Sequence, residues 1–440
     1  MKTLLGLLQL KAILRALKYR NFRLFFLGQS ISLIGTWMQR IALAWLVYRL
    51  SDSAFLLGVV GFASQIPTFF IAPIAGVFAD RLNRHRILIL AQTAAMMQAL
   101  LLAFLVLTDT IQIWHIILLS IFLGVINGFD MPTRQSFMVE MIDDRRDLSN
   151  AIALNSSMVN GARLLGPSLA GVLIAASGEG ICFLINGLSY GAVILSLAMM
   201  KVGRRKNHST SSNIRQELKE GLNYVAGFEP IWAILLLFAI ISLMGMPYVV
   251  LMPVFARDIL HGGPLSLGLL MGSSGVGALT GALYLASRKT VLGLDKLIPA
   301  FAIIFGLGLA GFAFSKFFIL SMLLMYFLGI GMMIQMAGSN TLLQTIVEDD
   351  KRGRVMSFYT MAFMGMQPVG SLIAGSLASH IGAPWTVFTG AAACIIAAII
   401  FVRRLPVLRL KTQPVYLTKG IIPEIASGIQ NATESGFTSK

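Results

Sequence analysis

Gly76-Val77-Phe78-Ala79-Asp80-Arg81-Leu82-Asn83-Arg84-His85-Arg86 places three arginines and one aspartate between two long apolar runs, in a chain that is 56% hydrophobic and 12% charged. So dense a cluster of charge marks where the chain leaves an apolar phase. A water-facing globular surface needs roughly twice that share of charged residues, about 25%, and the mean hydropathy of the 440 residues is +0.79. The solvent is therefore lipid. Working outward from the loop, about twelve apolar stretches follow one another, near 22–48, 54–79, 87–107, 113–133, 149–176, 179–200, 230–253, 265–287, 297–314, 317–340, 355–378 and 384–402. Each is close to the length at which a helix crosses a hydrocarbon core. The reading is an all-α membrane protein.

The net charge of +16, from 35 Lys and Arg against 19 Asp and Glu, would suit nucleic acid if the chain were soluble. Its placement says otherwise. With both termini in the cytoplasm, all of the 35 cations fall in inner segments except Arg49, Arg257 and Lys316, which lie outside, and Arg40 and Arg163, which lie within spans. That asymmetry fixes the expected orientation by the positive-inside rule. Cys182 and Cys394 both sit in or beside spans, so no disulfide framework or metal site is expected. The histidines (His85, His115, His208, His261, His380) are scattered at span ends, and no nucleophile-and-base or metal-ligand grouping appears. An enzyme is not expected, and neither is a cofactor.

Residues 1–21 form a basic amphipathic arm without a small-residue cleavage site, expected to lie on the membrane surface. A polar stretch from Lys201 to Asn213, rich in Ser and basic residues, separates six spans from six, and Ile214 to Tyr224 has apolar residues at roughly helical spacing. The expected organisation is a six-span bundle at 22–200, a linker with an amphipathic helix at 201–229, a second bundle at 230–402, and an irregular cytoplasmic tail at 403–440. The halves echo one another. Asp143-Asp144-Arg145-Arg146 recurs as Asp349-Asp350-Lys351-Arg352, and each copy precedes a span that carries a proline, Pro167 or Pro368. Two similar bundles rocking about a midplane site are what alternating access needs.

Several motifs together resemble one branch of the major facilitator superfamily, the bacterial permeases of the macrolide-efflux and enterobactin-exporter type. They are Gly28-Gln29-Ser30 and Gly35-Thr36-Trp37-Met38-Gln39 in the first span, Ala79-Asp80-Arg81 with Arg84 and Arg86, and Asn150-Ala151 with Asn155. Ala162-Arg163-Leu164-Leu165-Gly166-Pro167 with Gly171, and Gly353-Arg354-Val355, complete the set. The likeness runs to about residue 402. It implies a multi-pass inner-membrane transporter with the superfamily's twelve-helix fold, usually a proton-driven exporter of a small molecule. Lipid is the expected surrounding partner, and nucleic acid is not a partner.

Asp80 with Gly76, Arg81, Arg84 and Arg86 is expected to form a charged latch at the inner surface, with Arg134 and Glu140 as partners. Topogenic charge is the plainer reading of the same residues. Gly161, Gly166, Pro167 and Gly171 resemble an antiporter motif, in which small residues and a missing backbone donor permit close packing and a bend. Arg163 is the most telling single residue, since an arginine in mid-span normally faces a cavity or a partner. With Arg40 it favours an anionic or oxygen-rich substrate; the alternative for Arg163 is a bond to carbonyls near Pro167 or to Asp130. Gln29, Trp37, Gln39, Asn155 and Asn160 are the other candidate substrate contacts, against interhelical hydrogen bonding. Asp130, read near the inner end of the fourth span, is the best candidate for proton coupling. Export of a small amphiphilic or anionic compound leads; a lysophospholipid flippase, an uptake carrier and a non-transporting receptor are the alternatives.

Overall fold

The computed structural model describes residues 14–201, 214–288, 290–349, 351–419 and 421, without the side chains at 77, 79–81 and 214–219. Twelve helices among them are long and apolar enough to cross a membrane. They are α1 (Arg20–Ser51), α2 (Ala54–Arg81), α3 (Arg84–Leu107), α4 (Ile113–Glu140), α5 (Leu148–Ser177) and α6 (Glu179–Ala198), then α7 (Glu229–Ile259), α8 (Pro264–Ser287), α9 (Leu294–Phe314), α10 (Phe318–Ile346), α11 (Arg352–Ile381) and α12 (Ala383–Thr418). Before α7 a further helix covers Ile214–Gly227.

The packing repeats with a shift of six. In the first half α1 packs on α5 and α6, α2 on α4, and α3 on α4 and α6; in the second, α7 packs on α11 and α12, α8 on α10, and α9 on α10 and α12. The halves meet chiefly along two lines that are themselves repeat mates, α2 against α11 and α5 against α8. The turns repeat as well. Gly178 between α5 and α6 (φ 80°) and Gly382 between α11 and α12 (φ 83°) both adopt a backbone conformation that side chains resist.

At the ends that carry the basic loops, here called the basic end, each half has polar contacts of its own. The turn at Arg15–Lys18 docks on Asp147, which pairs with Arg15 and, at 2.6 Å, with Lys18, while the Tyr19 hydroxyl donates to it at 2.8 Å. The Lys18 ammonium is held above its ordinary value by its hydrogen bond to Asp147. In the second half the helix preceding α7 docks in the same way with the charges exchanged. Glu220 pairs with Arg354 at 2.8 Å, and the Tyr224 hydroxyl accepts from the Glu348 N–H at 3.4 Å.

Two expectations need correction. The tail does not become irregular at 403, because α12 continues to Thr418 through Pro406 and Pro414. Its basic residues tie it down: Arg404 and Lys411 reach Glu229, Arg409 reaches Asp295, and the Lys419 ammonium donates to the carbonyls of Thr345 and Val347 where α10 ends. Cations at a helix C-terminus satisfy otherwise orphaned carbonyls. The fourth span also does not end near 133. It runs through Pro132 to Glu140, which moves Asp130 almost three turns, about 15 Å, inside the helix end. Residues 1–13, 202–213 and 422–440, parts of the expected arm, linker and tail, lie outside the described residues.

Candidate functional site

Gly166 brings α5 onto α1. A Cβ there would run into Trp37 Cβ and lie 3.1 Å from the Ile34 carbonyl oxygen, so only the missing side chain lets the helices touch at Trp37. One turn earlier on α5, the same contact delivers Arg163, whose guanidinium carbon lies 5.2 Å from the centroid of the Trp37 ring. Arg40, on α1 itself, lies 4.8 Å from the same centroid. Both cations lie well inside their spans, Arg163 half-buried and Arg40 exposed. Arg40 is about three turns (~16 Å) inside the Ser51 end of α1, and Arg163 is about four turns (~21 Å) from either end of α5.

Neither guanidinium pairs with a carboxylate among the described residues, and the buried Arg163 Nε has no hydrogen-bond partner. Asp130, the acid that might have neutralised Arg163, is engaged elsewhere. It is 5% exposed, pairs with Arg134 at 3.1 Å one turn away, and accepts from the Gln92 amide of α3 at 2.8 Å. The aromatic face supplies part of what a carboxylate would, worth on the order of 1–2 kcal/mol per cation when desolvated. Two like charges over one ring leave an unspent attraction for an anion.

The other candidates separate clearly. Gln39 is 3% exposed and forms a buried bridge: its amide donates to Gln98 of α3 at 3.1 Å and accepts from Asn186 of α6 at 2.7 Å. That ties three helices together. Gln29 is equally buried, with its Oε1 unpartnered. Asn155 is half-buried on α5, and Asn160 donates to its own helix at the Ser156 carbonyl, 3.0 Å away. Gln92, Gln98 and Asn186 were not singled out from sequence; single amides in apolar spans look alike until their partners are known.

At the basic end, Arg84 of α3 and Glu140 of α4 meet at 2.6 Å, and Arg86 is exposed. The side chains of Asp80 and Arg81 lie outside the described residues. The glycines behave unequally along the interface. Cβ atoms at Gly171 and Gly58 would lie 2.9 Å from the Cα atoms of Gly268 and Gly375 respectively, so α5–α8 and α2–α11 touch backbone to backbone at the far end. Pro167 contributes its carbonyl to the same α8 contact. Among the described residues, a Cβ at Gly76 or Gly161, nearer the basic end, would meet nothing within 4 Å. The backbone-to-backbone glycine pairs between the halves thus lie at the far end.

Two pseudo-symmetric six-helix bundles, joined along α2–α11 and α5–α8 with cations set in mid-span, define a membrane transporter of the major facilitator class. The chain belongs to the family described as transmembrane secretion effector, whose model matches residues 12–419. It is similar to the staphyloferrin A transporter of Staphylococcus aureus, with 25% identity over 392 residues covering 88% of this chain and 97% of the relative. Macrolide efflux protein A of Streptococcus pyogenes is 22% identical over 394 residues (87% and 96%), and the multidrug efflux pump Tap of Mycobacterium tuberculosis 25% over 379 (84% and 89%). Among solved structures, an inward-facing bacterial homologue of the iron transporter ferroportin superposes with a TM-score of 0.68 at 17% identity, covering 88% of this chain and 98% of that one. An inward-facing bacterial homologue of the lysosomal transporter Spinster gives 0.64 at 14% (91% and 98%). These structural likenesses carry the fold. The protein is a multi-pass transporter of the cell membrane and not an enzyme.

Proposed function

We propose that the protein exports a small anionic or amphiphilic molecule of the siderophore or drug type by alternating access, with its basic end in the cytoplasm and the proton gradient as the driving force. The observation that carries this reading is the pair of guanidinium groups over Trp37, with no carboxylate on either and the Arg163 Nε unpartnered. A lipophilic cation would gain nothing there. A carboxylate or catecholate would supply the missing charge and stack an oxygen-rich face near the indole. Relatives named for a siderophore and for efflux of macrolides and several drugs support cargo of this size and this direction.

Asp130 is the proton-exchanging group in this reading. It is the acid held deepest in a span, and Arg134 and Gln92 hold it. Protonation would release Arg134, a change in charge between helices α3 and α4 that a conformational equilibrium can register. The test is flux through purified protein in proteoliposomes with and without an imposed pH gradient, against a citrate-type siderophore, a catecholate siderophore, a macrolide and a lysophospholipid. Gradient-dependent movement of an anionic compound is expected. Movement of the lysophospholipid alone, indifferent to the gradient, would replace this reading with a flippase.

A further inference from the structure

The far ends of α1 and α7, the opening helices of the two halves, are joined by side chains. The Tyr48 hydroxyl of α1 donates to Oδ2 of Asp258. Arg257 Nη1 meets Asp52 Oδ1 at 2.5 Å, and its guanidinium lies 5.6 Å from the centroid of the Tyr48 ring. Two features of the backbone present these groups. Asp52 ends α1 in a left-handed conformation (φ 48°) with its N–H bonded to the Tyr48 carbonyl at 2.9 Å. The last turn of α7, Phe255–Ile259, widens into a π-turn, which lets the consecutive residues Arg257 and Asp258 both reach α1. A π-turn weakens a helix and is found mostly where function needs it.

Each tip is also fixed to its own half. Arg49, beside Tyr48, forms a two-point pair with Glu179 of α6 at 2.8 and 3.2 Å. Phe255, fully buried, packs against Phe312 of α9 with centroids 4.7 Å apart and ring planes tilted by 34°. Any separation of the halves at this end therefore falls on the bonds between the tips. The two bonds are unequal. Arg257 and Asp52 are 41% and 69% exposed in their side chains, and such pairs are screened by water and salt. Tyr48 is 5% exposed although Asp258 itself is exposed, so the hydroxyl gives up a partly buried bond to a charged acceptor when the tips part.

We propose that Tyr48 and Asp258, steadied by Asp52 and Arg257, form the far-side gate of the transport cycle: the pair holds the halves shut at that end and breaks before cargo leaves there. This stands whatever the cargo. Glycine contacts seal the α2–α11 and α5–α8 lines by shape, whereas the α1–α7 gate seals by a bond that water can exchange.

The test places spin labels at Thr110 and Lys316, exposed far-end loop positions in opposite halves, and measures their distance distribution in nanodiscs; the native cysteines are buried. Tyr48→Phe, which removes only a hydroxyl, is expected to raise the far-open population about tenfold, the effect of losing one bond to a charged group. Asp258→Ala should do the same, and the double variant should add little, because the two side chains make one bond. Exchanging the ion pair (Asp52→Arg with Arg257→Asp) should restore the native distribution lost in Arg257→Asp alone. An unchanged distribution in Tyr48→Phe and Asp258→Ala, or full additivity between them, would overturn the proposal.

Discussion

The same two helix pairs, α2 with α11 and α5 with α8, are built differently at their two ends. At the far end Gly58 faces Gly375 and Gly171 faces Gly268 at backbone distance, while Gly76 near the basic end and Gly161 in mid-span meet nothing within 4 Å among the described residues. Small residues in membrane helices serve close approach. A glycine that touches nothing in one conformation is therefore a glycine suited to another. The far end is the side where glycine contacts hold the halves together here, and we propose that Gly76 and Gly161 belong to the contact that forms when the basic end closes.

Substitutions at the two ends should accordingly differ in kind. Gly58→Leu or Gly171→Leu forces a side chain into the backbone of α11 or α8, so the far seal cannot form. Flux in proteoliposomes should fall at least ~100-fold at unchanged membrane level, with far-side loops more open to a membrane-impermeant thiol reagent. Gly166→Ala, at the α1–α5 contact within a half, should cost about 1–3 kcal/mol of stability by overpacking, read as a lower midpoint in thermal unfolding. Gly161→Ala should leave that midpoint unchanged yet slow turnover several-fold; equal unfolding midpoints for Gly166→Ala and Gly161→Ala would break the comparison. Asp130→Asn should abolish gradient-driven accumulation while leaving downhill exchange within about threefold of native, since it keeps shape and removes the proton site. Smallest of all, Lys18→Ala should change flux less than twofold: Lys18 is exposed, and Arg15 and Tyr19 still hold Asp147.

Much of this was legible in the sequence because the bilayer permits so few solutions. Apolar length and the six-plus-six echo lead to the fold, and Arg163 betrays itself by its cost in mid-span. Span ends were harder to read. Helix α4 continues through Pro132 to Glu140, and α12 through Pro406 to Thr418, where neighbouring side chains pair with the charges the extensions carry. Gln39 looked like a substrate contact, but its partners Gln98 and Asn186 lie far away in sequence. The far-side gate was invisible for the same reason: Asp52, Arg257 and Asp258 read as ordinary charges at span ends until the fold brings them to Tyr48.

The central claim is that Arg40 and Arg163 over Trp37 hold an anionic cargo. Calorimetric titration of the purified protein with a citrate-type siderophore and with its neutral methyl ester addresses it most directly. The account predicts binding of the acid, at least tenfold weaker binding of the ester, and a loss of that preference in Arg163→Ala. Equal affinity for acid and ester in the native protein, or an undiminished preference in Arg163→Ala, would contradict it.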